Sequence, residues 1–283
     1  MDDAGIRRGR AARAALAVAK RLGIETDGAR VIKDSNNTIV HLLATSVVAK
    51  VGTSTLRPDI RAVLERELDI GLHLAERAAP IAPPVSHVSP GPHLERGTVI
   101  TLWQYTPSAD SPVSTEQLGQ MLTSFHRAFA DYPEPLPDFT ANLERARMGL
   151  EHTKLTSALS PSDRAFLLDM AADLEETLKN ADIPRHPLHG DPHEDGNILP
   201  SNNGPLLIDF EAACVGPYEW DLTSLERAVD AYPLANRNLV MLLSRMRSVV
   251  VSASCWMQYG RAPEVDEAAH VHLNFLREKA SDW

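Results

Sequence analysis

The chain has 283 residues, 43% hydrophobic and 23% charged, with a formal net charge of −10 at pH 7, which is ordinary for a globular protein of one large domain or two lobes. Its two cysteines, Cys214 and Cys255, exclude a disulfide scaffold. No run approaches the roughly 18 apolar residues of a membrane span, the N-terminal stretch lacks the apolar core of a signal peptide, and no basic stripe with interleaved aromatics suits nucleic acid, so a cytoplasmic protein with neither membrane nor nucleic acid as partner is expected.

Residues 6–22 are predicted helical, with Ile6, Ala14, Leu16, Ala17 and Leu22 on one side. Three short β runs follow, 29–33, 38–43 and 46–51, the first two joined by a turn of Asp34, Ser35, Asn36 and Asn37. A strong helix is expected over 59–79, where Ile60, Val63, Leu64, Leu68, Leu72 and Leu74 recur at helical spacing, and Pro80, Pro83 and Pro84 stop it. Residues 85–88 and 98–105 are further strand candidates, split by the loop SPGPHLERG. The polar connector 107–112 marks a lobe boundary, giving an N-terminal lobe 1–105 and a C-terminal lobe 106–283. Beyond it helices dominate, at 115–130, 141–152, 161–179, 219–231, 234–259 and 265–280, interrupted only by β runs at 198–199 and 206–209. Strands first and helices after point to a segregated α+β fold, not to alternating βαβ units.

Charge divides along the same boundary. Residues 1–105 carry 14 Lys+Arg against 11 Asp+Glu, a net of +3, and residues 106–283 carry 14 against 27, a net of −13. A basic front half suits phosphates and an acidic back half suits a cationic partner; solubility alone would also explain both.

The stretch richest in chemistry is HGDPHEDGNILPSNNGPLLIDFE, residues 189–211, where histidine, asparagine and several carboxylates flank a short apolar strand. Phosphoryl transfer needs that inventory: one carboxylate to orient the attacking hydroxyl, and an asparagine with a second carboxylate to hold Mg2+ against nucleotide phosphates. Asp191 is expected to accept the hydrogen bond of the substrate hydroxyl, His189 to fix the loop, and Asn197 to offer its carbonyl oxygen to Mg2+, a hard cation that prefers oxygen. The bland alternative is a polar turn before a hairpin. His186, His189 and His193 do not read as a zinc site, because Pro187, Gly190 and Pro192 forbid a helix and no further ligand stands at zinc spacing. Cys214 is expected to be a small buried apolar residue.

With GPYEWDL at 216–222, these segments resemble the aminoglycoside phosphotransferase branch of the kinase-like fold. Four motifs occur in the family's order over about residues 30–270: a strand lysine in TSVVAKV, a helix glutamate in RELDIGL, HGD with its asparagine, and DFE. The resemblance implies a two-lobed protein-kinase-like α+β fold, with a small antiparallel-sheet N-terminal lobe for nucleotide and a larger helical C-terminal lobe for catalysis and substrate. It implies that Lys50 touches the nucleotide phosphates and pairs with Glu67, with Glu65 as the rival on another helix face. Asp209 becomes a metal ligand beside Asn197, and Asp221 supports the catalytic loop with Trp220 packed beneath. ITLWQYTP becomes the hinge, where the backbone of Gln104, Tyr105 and Thr106 meets the purine and Leu102 and Trp103 line the pocket. In LGQMLTSFHRAF, His126 belongs to a core helix and has no chemical role.

Two features depart from the family pattern. Five residues separate Asp191 from Asn197 where the family has four, so Glu194 or Asp195 are alternatives nearer the metal. The loop DSNNTIVHL has no glycine, and Ser35 and Asn37 are left to present backbone N–H groups and a hydroxyl to phosphate. The implied reaction is Mg2+-dependent transfer of the γ-phosphoryl of ATP or GTP to a hydroxyl of a small cationic molecule such as an aminoglycoside antibiotic, which would make the chain a resistance enzyme. Glu219, Glu226, Asp230, Glu264, Asp266 and Glu267 are the acidic candidates for holding it. The alternatives are a metabolic kinase for a sugar, amino sugar, choline-like or amino-alcohol substrate, and a nucleotide-binding regulator without turnover.

Overall fold

The computed structural model describes residues 3–53 and 59–279. Helix α1 spans Asp3–Arg21, strands β1, β2 and β3 span Ala29–Asp34, Thr38–Leu42 and Val47–Val51, α2 spans Ile60–Glu76, β4 and β5 span His93–Glu95 and Thr98–Gln104, and α3 spans Thr115–Phe129. Then come α4 (Ala141–Glu151), α5 (Pro161–Asn180), β6 (His186–Leu188), the single turn α6 (Glu194–Asn197), β7 (Ile198–Leu199), β8 (Leu206–Leu207), β9 (Cys214–Gly216), α7 (Tyr218–Leu222), α8 (Arg237–Met257) and α9 (Pro263–Lys279). Two compact units result, one made of the chain up to Pro133 with Pro192–Ala213, the other of Glu134–Asp191 with the chain from Cys214 on.

The first unit is built on a five-stranded antiparallel sheet in the order β1-β2-β3-β5-β4. The alanine-rich face of α1, with Ala11, Ala15, Val18 and Ala19, packs with Val40, Leu42, Val47, Ala49, Ile100 and Leu102 of the sheet. Small side chains let a helix lie close to a β-branched surface, and the burial of that apolar area is the main source of stability here. Helix α2 buries Val63, Leu64, Leu68 and Leu74. Its Gly71 admits the Trp103 indole of β5, where a Cβ would stand 2.6 Å from the ring.

The expected strand at 85–88 is not formed. This segment runs beside β5 through separated bonds only, Gln104 N to Pro83 O (2.8 Å), Val85 N to Leu102 O (3.2 Å) and Leu102 N to Pro90 O (2.8 Å), because prolines cannot donate to a continuous ladder. The edge strand is instead β4, inside the expected loop, and it turns into β5 through Arg96 and Gly97, both at positive φ (50° and 81°), as tight two-residue hairpins require. The run expected at 206–209 is cut to β8 because Asp209 adopts a left-handed conformation, φ 71° and ψ 73°.

The second unit is helical. α8 packs against α4, α5, α7 and α9, and its Leu243, Met246, Val249, Ala253 and Trp256 join the core. By length and composition alone α8 could cross a membrane, although Arg245 and Arg247 interrupt its apolar run; its buried residues make it the core helix of this unit. The helix expected at 219–231 breaks after α7 into a 3-10 turn at Glu226–Ala231. The Thr223 hydroxyl bonds back to the Trp220 carbonyl (2.7 Å), a local competition with the helix ladder. Helix α9 covers the run expected at 265–280 as far as it is described, Ala280 lying outside the described residues. The sequence reading missed β6 and β9, which pair antiparallel through His186↔Gly216 and Leu188↔Cys214 and anchor the loop that follows Leu188.

Candidate functional site

In the first unit, β3 delivers Lys50 and α2 delivers Glu67 to one buried point. Lys50 Nζ lies 2.8 Å from Glu67 Oε1, 2.9 Å from Asp209 Oδ1 and 2.6 Å from Glu211 Oε1. Glu65, two residues from Glu67 and so on another helix face, pairs with Arg61 at 2.7 Å instead. The Phe210 N–H also donates to Glu67 Oε1 (3.1 Å), and the Phe210 ring stacks on Phe125 of α3 (6.1 Å between centroids), so the DFE segment is held by both backbone and core. His126 of α3 is buried against Phe125.

The electrostatics are those of one ammonium among three carboxylates. Burial by itself would lower the Lys50 pKa, but Asp209, Glu67 and Glu211 outweigh it and hold the amine charged well above its usual range. Burial pushes the Glu67 carboxyl up to about 7, Lys50 opposes this, and Asp209 and Glu211 add to it. Glu67 Oε2 is buried without a hydrogen-bond partner. The oxygens of Glu67, Asp209 and Glu211 lie within 4.8 Å of one another. Hard oxygen donors, excess negative charge and an orphaned carboxylate oxygen together fit a divalent cation such as Mg2+.

Glu67 and Glu211, rather than Glu194 or Asp195, cluster with Asp209. The β7–β8 hairpin, in register Ile198↔Leu207, brings Asn197 to the same end as Asp209, and the Ile208 N–H donates to the Asn197 carbonyl (3.0 Å). The residues between Asp191 and Asn197 close in the α6 turn, where the Asn197 N–H donates to the His193 carbonyl (3.0 Å). Gly196 leaves room there for the His193 ring, which a Cβ would approach to 2.4 Å.

A cavity of about 340 Å³ opens over this cluster, lined by Ser35, Asn37, Trp103, Gln104, Tyr105 and Thr106 among others. The Ser35 N–H, expected to face phosphate, is instead consumed inside its own turn by the Asn37 carbonyl (3.2 Å). The Asn37 side chain is likewise engaged, donating to Glu211 Oε1 (2.5 Å) and accepting from the Thr53 N–H (3.3 Å). Lys33, not singled out in the sequence, lines the same cavity and reaches the Gly196 carbonyl (3.3 Å). In the expected hinge, the Gln104 N–H goes to Pro83 O (2.8 Å) and the Tyr105 N–H to Ser46 O (2.9 Å). Thr106 is the hinge amide that no carbonyl among the described residues takes.

In the second unit, β6 leads into the HGD loop. Asp221 at α7 is fully buried and accepts from the His189 N–H (3.0 Å) and the Gly190 N–H (2.7 Å). The Asp191 N–H donates back to His189 Nδ1 (3.3 Å). Trp220 packs on Phe139 and Cys214 is buried. Asp191 itself accepts from Arg247 Nη1 at 3.1 Å; no sequence signal pointed to Arg247, which lies mid-helix in α8. His186 stacks on Tyr218, 4.2 Å between centroids. Of the acidic candidates for substrate, Glu219 is taken by the Asn236 N–H (2.9 Å), Asp266 by the Gly260 N–H (2.7 Å) and Asp230 by Arg237, whereas Glu226, Glu264 and Glu267 are exposed.

The sequence model of the phosphotransferase enzyme family matches residues 32–235, a span that runs from β1 past Asp221. The chain belongs to this family. It is a phosphotransferase with an alcohol group as acceptor. Among solved structures, it is similar to a spectinomycin phosphotransferase in complex with ADP and spectinomycin, at 15% identity over 94% of this chain and 93% of that one, with a TM-score of 0.64. It is similar to an APH(2'') structure with GDP and kanamycin, at 13% identity over 95% and 98%, TM-score 0.70. It is also similar to the choline kinase LicA from Streptococcus pneumoniae, at 12% identity over 95% and 99%, TM-score 0.69. At these identities the likeness carries the fold, which is the two-lobed protein-kinase-like α+β class that the motif order implied. No curated protein sequence matches the phosphotransferase chain.

One comparison tests the helix face. Glu67→Gln is expected to weaken nucleotide binding or kcat several-fold, because it removes a buried carboxylate 2.8 Å from Lys50, while Glu65→Gln loses only an exposed i,i+4 pair of roughly 0.3–0.5 kcal/mol. Steady-state kinetics giving the larger loss in Glu65→Gln would reverse the assignment.

Proposed function

We propose that this phosphotransferase moves the γ-phosphoryl of ATP or GTP, with Mg2+, onto a hydroxyl of a small cationic molecule of the aminoglycoside type, as a cytoplasmic resistance enzyme. The observation that carries the reading is Lys50 charged among Glu67, Asp209 and Glu211 beneath the cavity. In this reading residues 1–105 hold the nucleotide and 106–283 serve catalysis and substrate. Thr106 offers its N–H to the base, and Lys50 presents its ammonium to the phosphates. Asp209 and Asn197 would hold Mg2+, with Glu211 as a further oxygen ligand, and the ion would neutralise charge on the transferring phosphate. Asp191, kept in place by the Asp221-bound loop, accepts the acceptor hydroxyl's hydrogen bond and aligns it for in-line attack. Support for a cationic acceptor comes from the net −13 of residues 106–283 and from the structural neighbours, which include proteins solved with spectinomycin or kanamycin and a choline kinase. A choline-like or amino-alcohol acceptor is the second reading, on the last of these.

Nucleotide consumption with a panel of aminoglycosides, choline, ethanolamine and neutral sugars, with products identified by mass, tests the reading. Attraction between exposed charges is screened over roughly 8–10 Å at physiological salt. The KM of the acceptor is therefore expected to rise steeply with ionic strength, while the KM of the nucleotide, held by buried groups, changes less. A neutral sugar as best acceptor, with a salt-insensitive KM, would refute the cationic assignment, and absence of turnover on every hydroxyl would favour a silent nucleotide-binding regulator.

A further inference from the structure

We infer that Arg247 is a positioning residue for phosphoryl transfer, holding the Asp191 carboxylate ionised and in one orientation; this rests on the reading of Asp191 as the group that orients the acceptor hydroxyl. Arg247 sits in the middle of α8, where the neighbouring inward positions, Leu243, Met246 and Val249, are core residues. A guanidinium on such a stripe is costly unless every donor is met. Here all three of its nitrogens are engaged. Nε donates to Thr223 Oγ1 (2.5 Å), Nη1 to Asp191 Oδ1 (3.1 Å), and Nη2 to the carbonyls of Gly190 and Trp220 (3.0 Å each). Its Cζ lies over the Trp220 ring, 4.0 Å from the centroid.

This pattern separates holding the loop from holding the carboxylate. The carbonyl, hydroxyl and ring contacts brace Gly190, Trp220 and Thr223 and would serve any loop. The Asp191 contact is the ion pair, and it falls on the one side chain that the proposed chemistry uses. The planar fork makes the bond directional, which an ammonium at the same place would not reproduce. The charged and titratable groups around Arg247 are Asp191, Asp221, Cys214 and His272. The Asp221 carboxylate already takes two loop amides, and the His272 imidazole is held below its usual range by burial and by Arg247 itself. The charge of Arg247 is therefore matched chiefly at Asp191. A fixed guanidinium beside that carboxylate keeps it an acceptor of the hydroxyl's hydrogen bond down to low pH, and limits the directions from which the hydroxyl approaches.

The test uses Arg247→Met, Arg247→Lys, Asp191→Ala and the Asp191→Ala/Arg247→Met double variant, with thermal unfolding to establish that each is folded. Arg247→Met is expected to lower kcat roughly 10- to 100-fold, as a small displacement of an aligned group does, leaving the KM of the nucleotide unchanged. The acid limb of its pH–kcat profile is expected to move up by about one pH unit or more, since an adjacent guanidinium depresses a carboxyl by that order. Arg247→Lys should return the acid limb towards that of the wild type and recover only part of kcat; this variant carries the test if Arg247→Met does not fold. In the Asp191→Ala background the second change should cost nothing further. An unmoved acid limb, or costs that simply add in the double variant, would show Arg247 to be loop bracing only and overturn the inference while leaving the role of Asp191 intact. Full turnover by Asp191→Ala alone would overturn the role of Asp191 and the inference with it.

Discussion

Asp191→Ala is expected to reduce kcat by roughly 10²-fold or more, the contribution of a positioned acid–base group, while the affinity for nucleotide stays nearly that of the wild type. The asymmetry follows from which elements hold which group. Asp191 stands on the loop leaving β6, braced by Asp221 through the His189 and Gly190 amides. The groups proposed for the donor lie on β3, α2 and the DFE segment. Calorimetry with a non-hydrolysable nucleotide, beside steady-state kinetics, separates the two effects. Turnover retained in the variant, or a parallel loss of nucleotide affinity, would sink the assignment.

Lys50→Met is the second large effect. The variant leaves three carboxylates with oxygens within 4.8 Å of one another and no cation between them. Breaking a buried charge network by removing one partner costs about 3–5 kcal/mol, so the nucleotide-free variant is expected to melt well below the wild type. The loss of a charged donor at the phosphates is expected to lower kcat by roughly 10²–10³-fold. Thermal unfolding and kinetics unchanged from the wild type would show that the cluster is incidental.

The same cluster sets a pH dependence in the wild type. The Glu67 carboxyl titrates at about 7 in the folded chain against a free value of 4.5. A carboxyl raised on folding gives its full stabilisation below the free value and loses it as the pH rises through the folded value, because the folded chain holds more protons in that window. This group is therefore expected to make the Tm of the nucleotide-free protein fall between about pH 5 and about pH 8. Glu67→Gln should flatten that slope; a variant with the slope of the wild type would assign the titration elsewhere.

How much of this was legible beforehand depends on the length scale of each feature. The strand carrying Lys50 and the helix carrying Glu67 were readable because a short valine-rich apolar run and a period-3.6 pattern are local properties of five to twenty consecutive residues. The three-residue strands β4, β6 and β9 were not, since a run that short has no period. The same holds for the missing strand at 85–88, where prolines left extended backbone without a ladder. The Ser35 amide was misjudged because the fate of a turn's N–H depends on which carbonyl the chain folds back to, not on residue type.

The sequence by itself determined the order of the chemical groups along the chain, strand lysine, helix glutamate, HGD loop, asparagine and DFE, together with the α+β class in which they act. Between two neighbouring glutamates it left Glu65 as a rival, and the preference for Glu67 rested on the family resemblance; the structure pairs Glu67 with Lys50 and Glu65 with Arg61. Only the tertiary structure decided which groups meet across long stretches of chain. Glu211 and Asn37, 174 residues apart, share a hydrogen bond, and Arg247 reaches Asp191 across 56 residues. Such pairings arise from how helices and strands pack once their apolar faces are buried, and an arginine inside an otherwise apolar helix reveals its partner only when that packing is complete.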